Sequence, residues 1–214
     1  MFQTAAVLLD WFGIAVFATT GALVASRKQM DVFGFALLGT VTGIGGGTVR
    51  DLVLGETPVF WVREPAYVVV CVAVSVIVFF TAHIPESRYR LVLWLDAVGL
   101  ALFAVVGAEK GLASGADPIV AVVMGVITAT FGGILRDMLG GESPMVLRRE
   151  IYVTAALIAA AAFVTTSALG LPRDGSVVLG FLLGFAVRGA ALHWHWSLPT
   201  YRARAGRPPG DLEL

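Results

Sequence analysis

Apolar runs of membrane length alternate with short polar connectors along almost the whole chain. A window of about 20 residues, the length that crosses a bilayer as a helix, predicts seven spans: Thr4 to Ala25, Val32 to Val49, Ala66 to Ala82, Leu91 to Ala108, Pro118 to Leu135, Ile151 to Leu169 and Ser176 to Trp194. Between them stand SRKQMD, RDLVLGETPVFWVREP, HIPESRYR, EKGLASGAD, RDMLGGESPMVLRRE and GLPRDG. The first run lacks the positive leader of a secretory signal and stays apolar too long for one, so it reads as a retained span. The expected fold is an all-α membrane protein.

Composition agrees with that solvent. The 214 residues are 57% hydrophobic and 14% charged, against roughly 45–50% and 25% in soluble domains. Lysine plus arginine equals aspartate plus glutamate at 15 each, and no basic run interleaved with aromatics points to nucleic acid. Cys71, the single cysteine, lies in an apolar run and reads as a small hydrophobe.

The chain also repeats itself. Shifted by 86 residues, LDWFGIAVFATTGA (Leu9 to Ala22) falls on LDAVGLALFAVVGA (Leu95 to Ala108), and GGGTVRDLVLGETPVFWVRE falls on FGGILRDMLGGESPMVLRRE. About 20 of 56 ungapped pairs are identical, including rare charged positions. Each copy holds three spans, an odd number, so the second must enter the membrane from the opposite side. The prediction is two inverted three-helix repeats, about 4–82 and 91–169, with a seventh helix at about 176–194. Residues 1–194 form one transmembrane domain, and residues 195–214 form a cytoplasmic tail too polar and proline-rich to order itself.

Basic residues orient this arrangement. With the N-terminus outside, the inner side collects Arg27, Lys28, Arg88, Arg90, Arg148, Arg149, Arg202, Arg204 and Arg207, leaving Arg63, Lys110 and Arg173 outside. The positive-inside rule therefore predicts a multi-pass protein of the cell (inner) membrane with a cytoplasmic C-terminus.

Candidate chemistry concentrates in the repeated block. Gly45, Gly46 and Gly47, with Gly132 and Gly133, fall well inside spans two and five. Each glycine weakens a helix by about 1 kcal/mol relative to alanine, and backbone freed by a break persists in lipid only beside protein or water. Two breaks at matching positions point to a permeation path or substrate site. The alternative is that the glycines serve close helix packing.

Arg50, Asp51, Arg136 and Asp137 follow the glycines. Charges at that depth must be paired and face inward. Helical neighbours diverge by about 100°, so the expected pairs cross between repeats, Arg50 with Asp137 and Arg136 with Asp51. The alternative sets both Arg-Asp steps among the headgroups. Glu56 and Glu142, each followed by threonine or serine and then proline, read as turn residues that line a pore mouth or cap the next helix, with capping assigned to Glu64 and Glu150.

Elsewhere the reading is plainer. Gly13, Phe17 and Gly21, like Gly99, Phe103 and Gly107, form small-residue packing stripes. Asp10 and Asp96 read as interfacial caps. His193, Trp194, His195 and Trp196 fit an aromatic belt better than a metal site, with Arg188 snorkelling towards it. No phosphate loop, nucleophile elbow or ligand spacing is visible, so neither an enzyme, a cofactor nor a bound metal is expected.

Two copies of G-G-x-x-R-D followed by G-E-x-P, three spans per copy and a terminal seventh helix resemble the prokaryotic members of the trimeric intracellular cation channels, the TRIC family. The resemblance covers about Thr4 to Trp194. It implies a homotrimer in the lipid bilayer with one water-filled pore per subunit, lined by helices two and five and passing monovalent cations, chiefly potassium. The Lys-Glu-Val signature of the animal relatives is replaced here by Thr48-Val49-Arg50-Asp51, so lipid binding and calcium sensitivity do not carry over. Inverted repeats serve transporters as well. A secondary transporter of a small amino acid such as glycine is the alternative function, and a structural subunit the third.

Overall fold

The computed structural model describes residues 2–85, 87–148 and 150–199, with side chains from residue 9 onward. The tail expected to be disordered lies outside these residues from Thr200 on. Among the described residues the elements are helices: α1 (Phe2–Arg27), α2 (Val32–Leu54), α3 (Phe60–Arg63), α4 (Ala66–Thr81), α5 (Arg88–Ala113), α6 (Pro118–Leu139), α7 (Val153–Ala168) and α8 (Arg173–Trp194), with a 3₁₀ turn at Met145–Leu147. Five of them, α1, α2, α5, α6 and α8, are long and apolar enough to cross a membrane; α4 and α7 are shorter apolar helices of 16 residues.

Helix ends follow from local chemistry repeated in both copies. The Asp31 carboxylate accepts from the Gly34 amide at 2.8 Å, and Asp117, 86 positions on, accepts from Ile119 at 2.9 Å with Pro118 in the first turn. These side chains satisfy amides that a helix N-terminus leaves free. At the other end Gly55 (φ 71°) and Gly141 (φ 65°) take the left-handed conformation. That lets the Glu56 amide reach the Asp51 carbonyl, and the Glu142 amide the Asp137 carbonyl, each at 2.8 Å. Glycine adopts this conformation without a Cβ clash. The Gly-Glu-x-Pro block is thus a helix stop, as its composition predicts.

Helices α1, α2 and α4 pack on one another, as do α5, α6 and α7; α1 meets α5, α2 meets α6, and α8 lies against α5 and α7. The glycine stripes make the closest joins. A Cβ on Gly13 would stand 2.9 Å from the Phe103 ring, and one on Gly99 would stand 2.2 Å from the Phe17 ring. Since Gly99 and Phe103 are the repeat mates of Gly13 and Phe17, this contact is reciprocal. The expected packing role of the stripes holds, within the subunit.

The distribution of polarity is that of a membrane protein. Phe33, Leu37, Val69, Ile77, Phe80, Ile119, Val123, Leu169 and Leu182 are exposed, while Arg50, Arg136 and Arg188 are among the largest fully buried side chains. In water this arrangement would cost both unburied apolar area and desolvated charge.

Candidate functional site

The glycine clusters do not break their helices. Both α2 and α6 run without interruption through Gly45, Gly46 and Gly47 and through Gly132 and Gly133, which corrects the expected break. Packing replaces the free backbone groups: a Cβ on Gly46 would lie 2.1 Å from the Thr128 carbonyl oxygen, and one on Gly132 would lie 2.4 Å from the Thr42 carbonyl oxygen. Thr42 and Thr128 are themselves repeat mates. The glycines therefore let α2 and α6 touch backbone to backbone, and tertiary contact outweighs their poor helix propensity.

The cross-repeat ion pairs are likewise absent among the described residues. Arg50 gives Nε and Nη2 to Asp51 Oδ1 at 2.9 and 2.6 Å, and Arg136 gives Nε to Asp137 Oδ1 at 2.9 Å. The 100° offset between neighbours does not decide the matter, because a guanidinium on a long, jointed stem reaches sideways across it. Each aspartate spends its second oxygen on the returning chain: Asp51 Oδ2 accepts from the Phe60 amide at 2.8 Å and Asp137 Oδ2 from the Met145 amide at 2.9 Å. An Arg-Asp step one turn before a helix end thus ties guanidinium, helix and turn together.

Around that common plan the two copies diverge. Arg136 also donates Nη1 to Asp96 at 2.7 Å and to the Thr20 hydroxyl at 3.1 Å, with both ions at 0% exposure. Asp96 is therefore a buried partner, not a cap; α5 begins at Arg88, two turns ahead of it. Its mate Asp10 is not a cap either, for it binds the Tyr67 hydroxyl at 3.2 Å and Lys110 at 3.3 Å. Arg188 does not snorkel: it is buried, donates to Glu150 at 2.7 Å and to the Ile151 carbonyl at 3.2 Å, and lies over the Tyr152 ring. Glu150 is thus an ion-pair partner rather than a cap, and no side-chain cap bond is made at the start of α4 beside Glu64.

The two turn glutamates also part ways. Glu142 is held by Arg27 at 3.0 Å, Lys28 at 3.6 Å and Arg148 at 3.9 Å, with its side chain 13% exposed. Among the described residues Glu56 pairs with Arg63 alone, at 3.7 Å, and both are about half exposed. Arg27, Lys28, Arg88 and Arg148 gather at this Glu142 end, where Arg88 bonds Ser26 and Arg27 covers the Tyr89 ring. Arg63, Lys110 and Arg173 lie at the other, where Arg173 pairs with Glu109.

At the first copy's end opens a cavity of about 410 Å³, lined by Arg50, Asp51, Glu56, Phe60, Glu64 and Lys110 among others. Behind Phe60 and Arg50 lies a second space of about 10 Å³, bounded by Gly43, Gly46, Gly47, Phe17, Phe103 and Thr128, room for about one water. Phe60, Lys110, Thr128 and Tyr67 were not legible as site residues; the repeat offset could have flagged Thr128, which matches Thr42. Trp194 and Trp196 stack at 5.6 Å and are exposed.

Comparisons with known proteins agree with this architecture. A family model described as a glycine transporter matches residues 7–83 and again 93–168, the same 86-residue offset. The UPF0126 inner membrane protein YadS of Escherichia coli (strain K12) is 44% identical over 201 residues, 90% of this chain and 94% of its own. The crystallised TRIC trimeric intracellular cation channel orthologue of Rhodobacter sphaeroides is 65% identical, covers 91% of this chain and 100% of its own, and superposes with a TM-score of 0.89. A prokaryotic TRIC channel crystallised in 0.5 M KCl is 34% identical over 92% of this chain and 100% of its own, with a TM-score of 0.85. With its doubled family match, its buried Arg-Asp ties and near-complete overlap with these structures, the chain belongs to the prokaryotic TRIC family of helical inner membrane proteins.

Proposed function

We propose that this protein is a monovalent cation channel, with potassium as the permeant ion, that works as a homotrimer with one path through each subunit. The observation that carries the reading is the charged cavity of about 410 Å³ leading towards the Gly43–Gly47 face of α2. Such an entry with compensated charge holds a hydrated cation without trapping it. Arg50 would repel cations alone, but Asp51 neutralises it at 2.6 Å. The relatives named as cation channels support the same reading.

In this reading Gly45, Gly46, Gly47, Gly132 and Gly133 place α2 and α6 together along the path, and Glu56 lines its mouth. Seven helices cross the bilayer, α4 and α7 among them, although 16 residues reach only about 24 Å of a core about 30 Å thick. The reciprocal Gly46–Thr128 and Gly132–Thr42 contacts support an inverted-repeat arrangement. The segregation of Arg27, Lys28, Arg88 and Arg148 from Arg63, Lys110 and Arg173 supports an outside N-terminus and a cytoplasmic C-terminus.

The name of the matching family model favours a second reading, uptake of glycine. A paired assay separates the two. Purified protein in planar bilayers is expected to give discrete cation-selective currents. Saturable, gradient-coupled glycine uptake in proteoliposomes without unitary currents would overturn the channel.

A further inference from the structure

Phe60 stands between the two spaces at the first copy's end and belongs to the lining of both. Its ring rests where Gly47 lacks a side chain, since a Cβ there would lie 2.7 Å from Phe60 Cε1. Two cations approach its faces: the Arg50 guanidinium carbon is 5.7 Å and Lys110 Nζ 5.3 Å from the ring centroid, distances at which a ring quadrupole attracts cations. Tyr67 meets the ring edge-on at 5.1 Å. The backbone is moored as well, by the Phe60 amide to Asp51 at 2.8 Å and by the neighbouring Trp61 indole to the Thr48 hydroxyl at 2.9 Å. No residue of the four-residue α3 is fully buried: Phe60 and Trp61 are half-buried, and Val62 and Arg63 are exposed. A short element without a fully buried residue, held by two half-buried rings and two hydrogen bonds, can swing out without disturbing the long helices, as low-stability gating elements do.

We propose that the Phe60 side chain is the plug that separates the outer cavity from the glycine-lined interior, and that permeation requires it to leave its seat on Gly47. The seat is specific to the first copy: position 146, the repeat mate of Phe60, is valine. The attraction of Arg50 and Lys110 for the ring face holds the plug shut, and a cation entering the cavity competes with them for it. This proposal rests on the channel reading, so its test needs a readout apart from current.

Thr128→Cys, which lines the inner space, is placed in a Cys71→Ala background, and its modification by a small cationic methanethiosulfonate reagent is timed on the purified, detergent-solubilised protein. The seated ring keeps open states a minor population in the parent, so Phe60→Ala raises the labelling rate by about tenfold or more. Gly47→Ala, whose new methyl pushes the ring off its seat while the phenylalanine itself is retained, raises it too and guards against misfolding of the first variant. Val146→Ala leaves it unchanged. Equal labelling in all four proteins, whether slow or fast, overturns the plug. Planar-bilayer recordings separate the two ideas. Faster labelling with no current in any variant retains the plug and removes the channel. Wild-type currents with labelling and open probability unaltered by Phe60→Ala retain the channel and remove the plug.

Discussion

At the end of α2, Arg50 has one carboxylate partner and stands on the wall of a cavity of about 410 Å³. At the matching end of α6, Arg136 has two, Asp137 and Asp96, and is wholly enclosed. The motif residues are the same, so the difference comes from their neighbours. Lys110 draws Asp10 away from Arg50 in the first copy, while the corresponding α1 position is Val24, which leaves Asp96 to Arg136. Thr20 adds a hydroxyl where its mate is Val106, and Tyr152 fills space beside Gly133 where its mate is Ala66. Three unlike neighbours turn one motif into a sealed anchor and the other into the rim of a cavity.

The most severe way to break this contrast is to remove one ion from the sealed end. Asp96→Ala leaves Arg136 short of a buried partner and is expected to lower stability by about 3–5 kcal/mol, read as loss of folded protein in thermal unfolding in detergent. Asp10→Ala, whose partner Lys110 is 38% exposed, is expected to cost about 1 kcal/mol. Equal losses would erase the distinction.

Backbone contact between α2 and α6 gives the next largest effect. Gly46→Ala and Gly132→Ala each push a methyl into a threonine carbonyl. Overpacking of this kind costs about 1–3 kcal/mol, and the reciprocity of the contact predicts similar losses for the two variants in the same melt. A harmless Gly132→Ala would show that the helices can part there.

The smallest effect lies at the two turn glutamates. Glu142→Gln, with three cations around it, is expected to cost more than Glu56→Gln, whose exposed pair contributes about 0–1 kcal/mol. A thermal shift for Glu56→Gln as large as that for Glu142→Gln would contradict the comparison.

Much of this architecture is legible in the amino-acid sequence. The hydropathy windows find α2 and α6 at their true starts, Val32 and Pro118, but stop at Val49 and Leu135, where the helices run on to Leu54 and Leu139. Hydropathy falls at the Arg-Asp step although the helical hydrogen bonds continue to the left-handed glycine. The repeat also singles out the glycines, both Arg-Asp steps and both turn glutamates, which take matching structural positions in the two copies. What these residues do was less legible. Glycine content measures helix propensity, and only the opposing carbonyls of Thr128 and Thr42 explain why the helix stays intact. Ion-pair choice depends on the reach of arginine, which spacing along a helix leaves open. Asp96 reads as a cap because the predicted span begins at Leu91, whereas Ser87 starts the helix earlier and carries Asp96 into the interior. Its repeat mate Asp10, an acid at the same depth of another apolar run, was the available clue. The four-residue α3, with Phe60, is too short to carry a periodic signal.

The claim on which the account turns is that cations enter at the first copy's end, beside Glu56 and Glu64. It is tested most directly by the unitary potassium conductance of Glu56→Lys/Glu64→Lys in planar bilayers at low and high salt. Asp51, Glu56 and Glu64 balance Arg50, Arg63 and Lys110 around this cavity, so reversing two of the three acids makes the mouth net positive, which repels cations most strongly where screening is weak. The expected conductance is lower than wild type by about twofold or more at ~0.05 M KCl, with the two proteins converging near ~1 M. The same conductance in both proteins at low salt would contradict it.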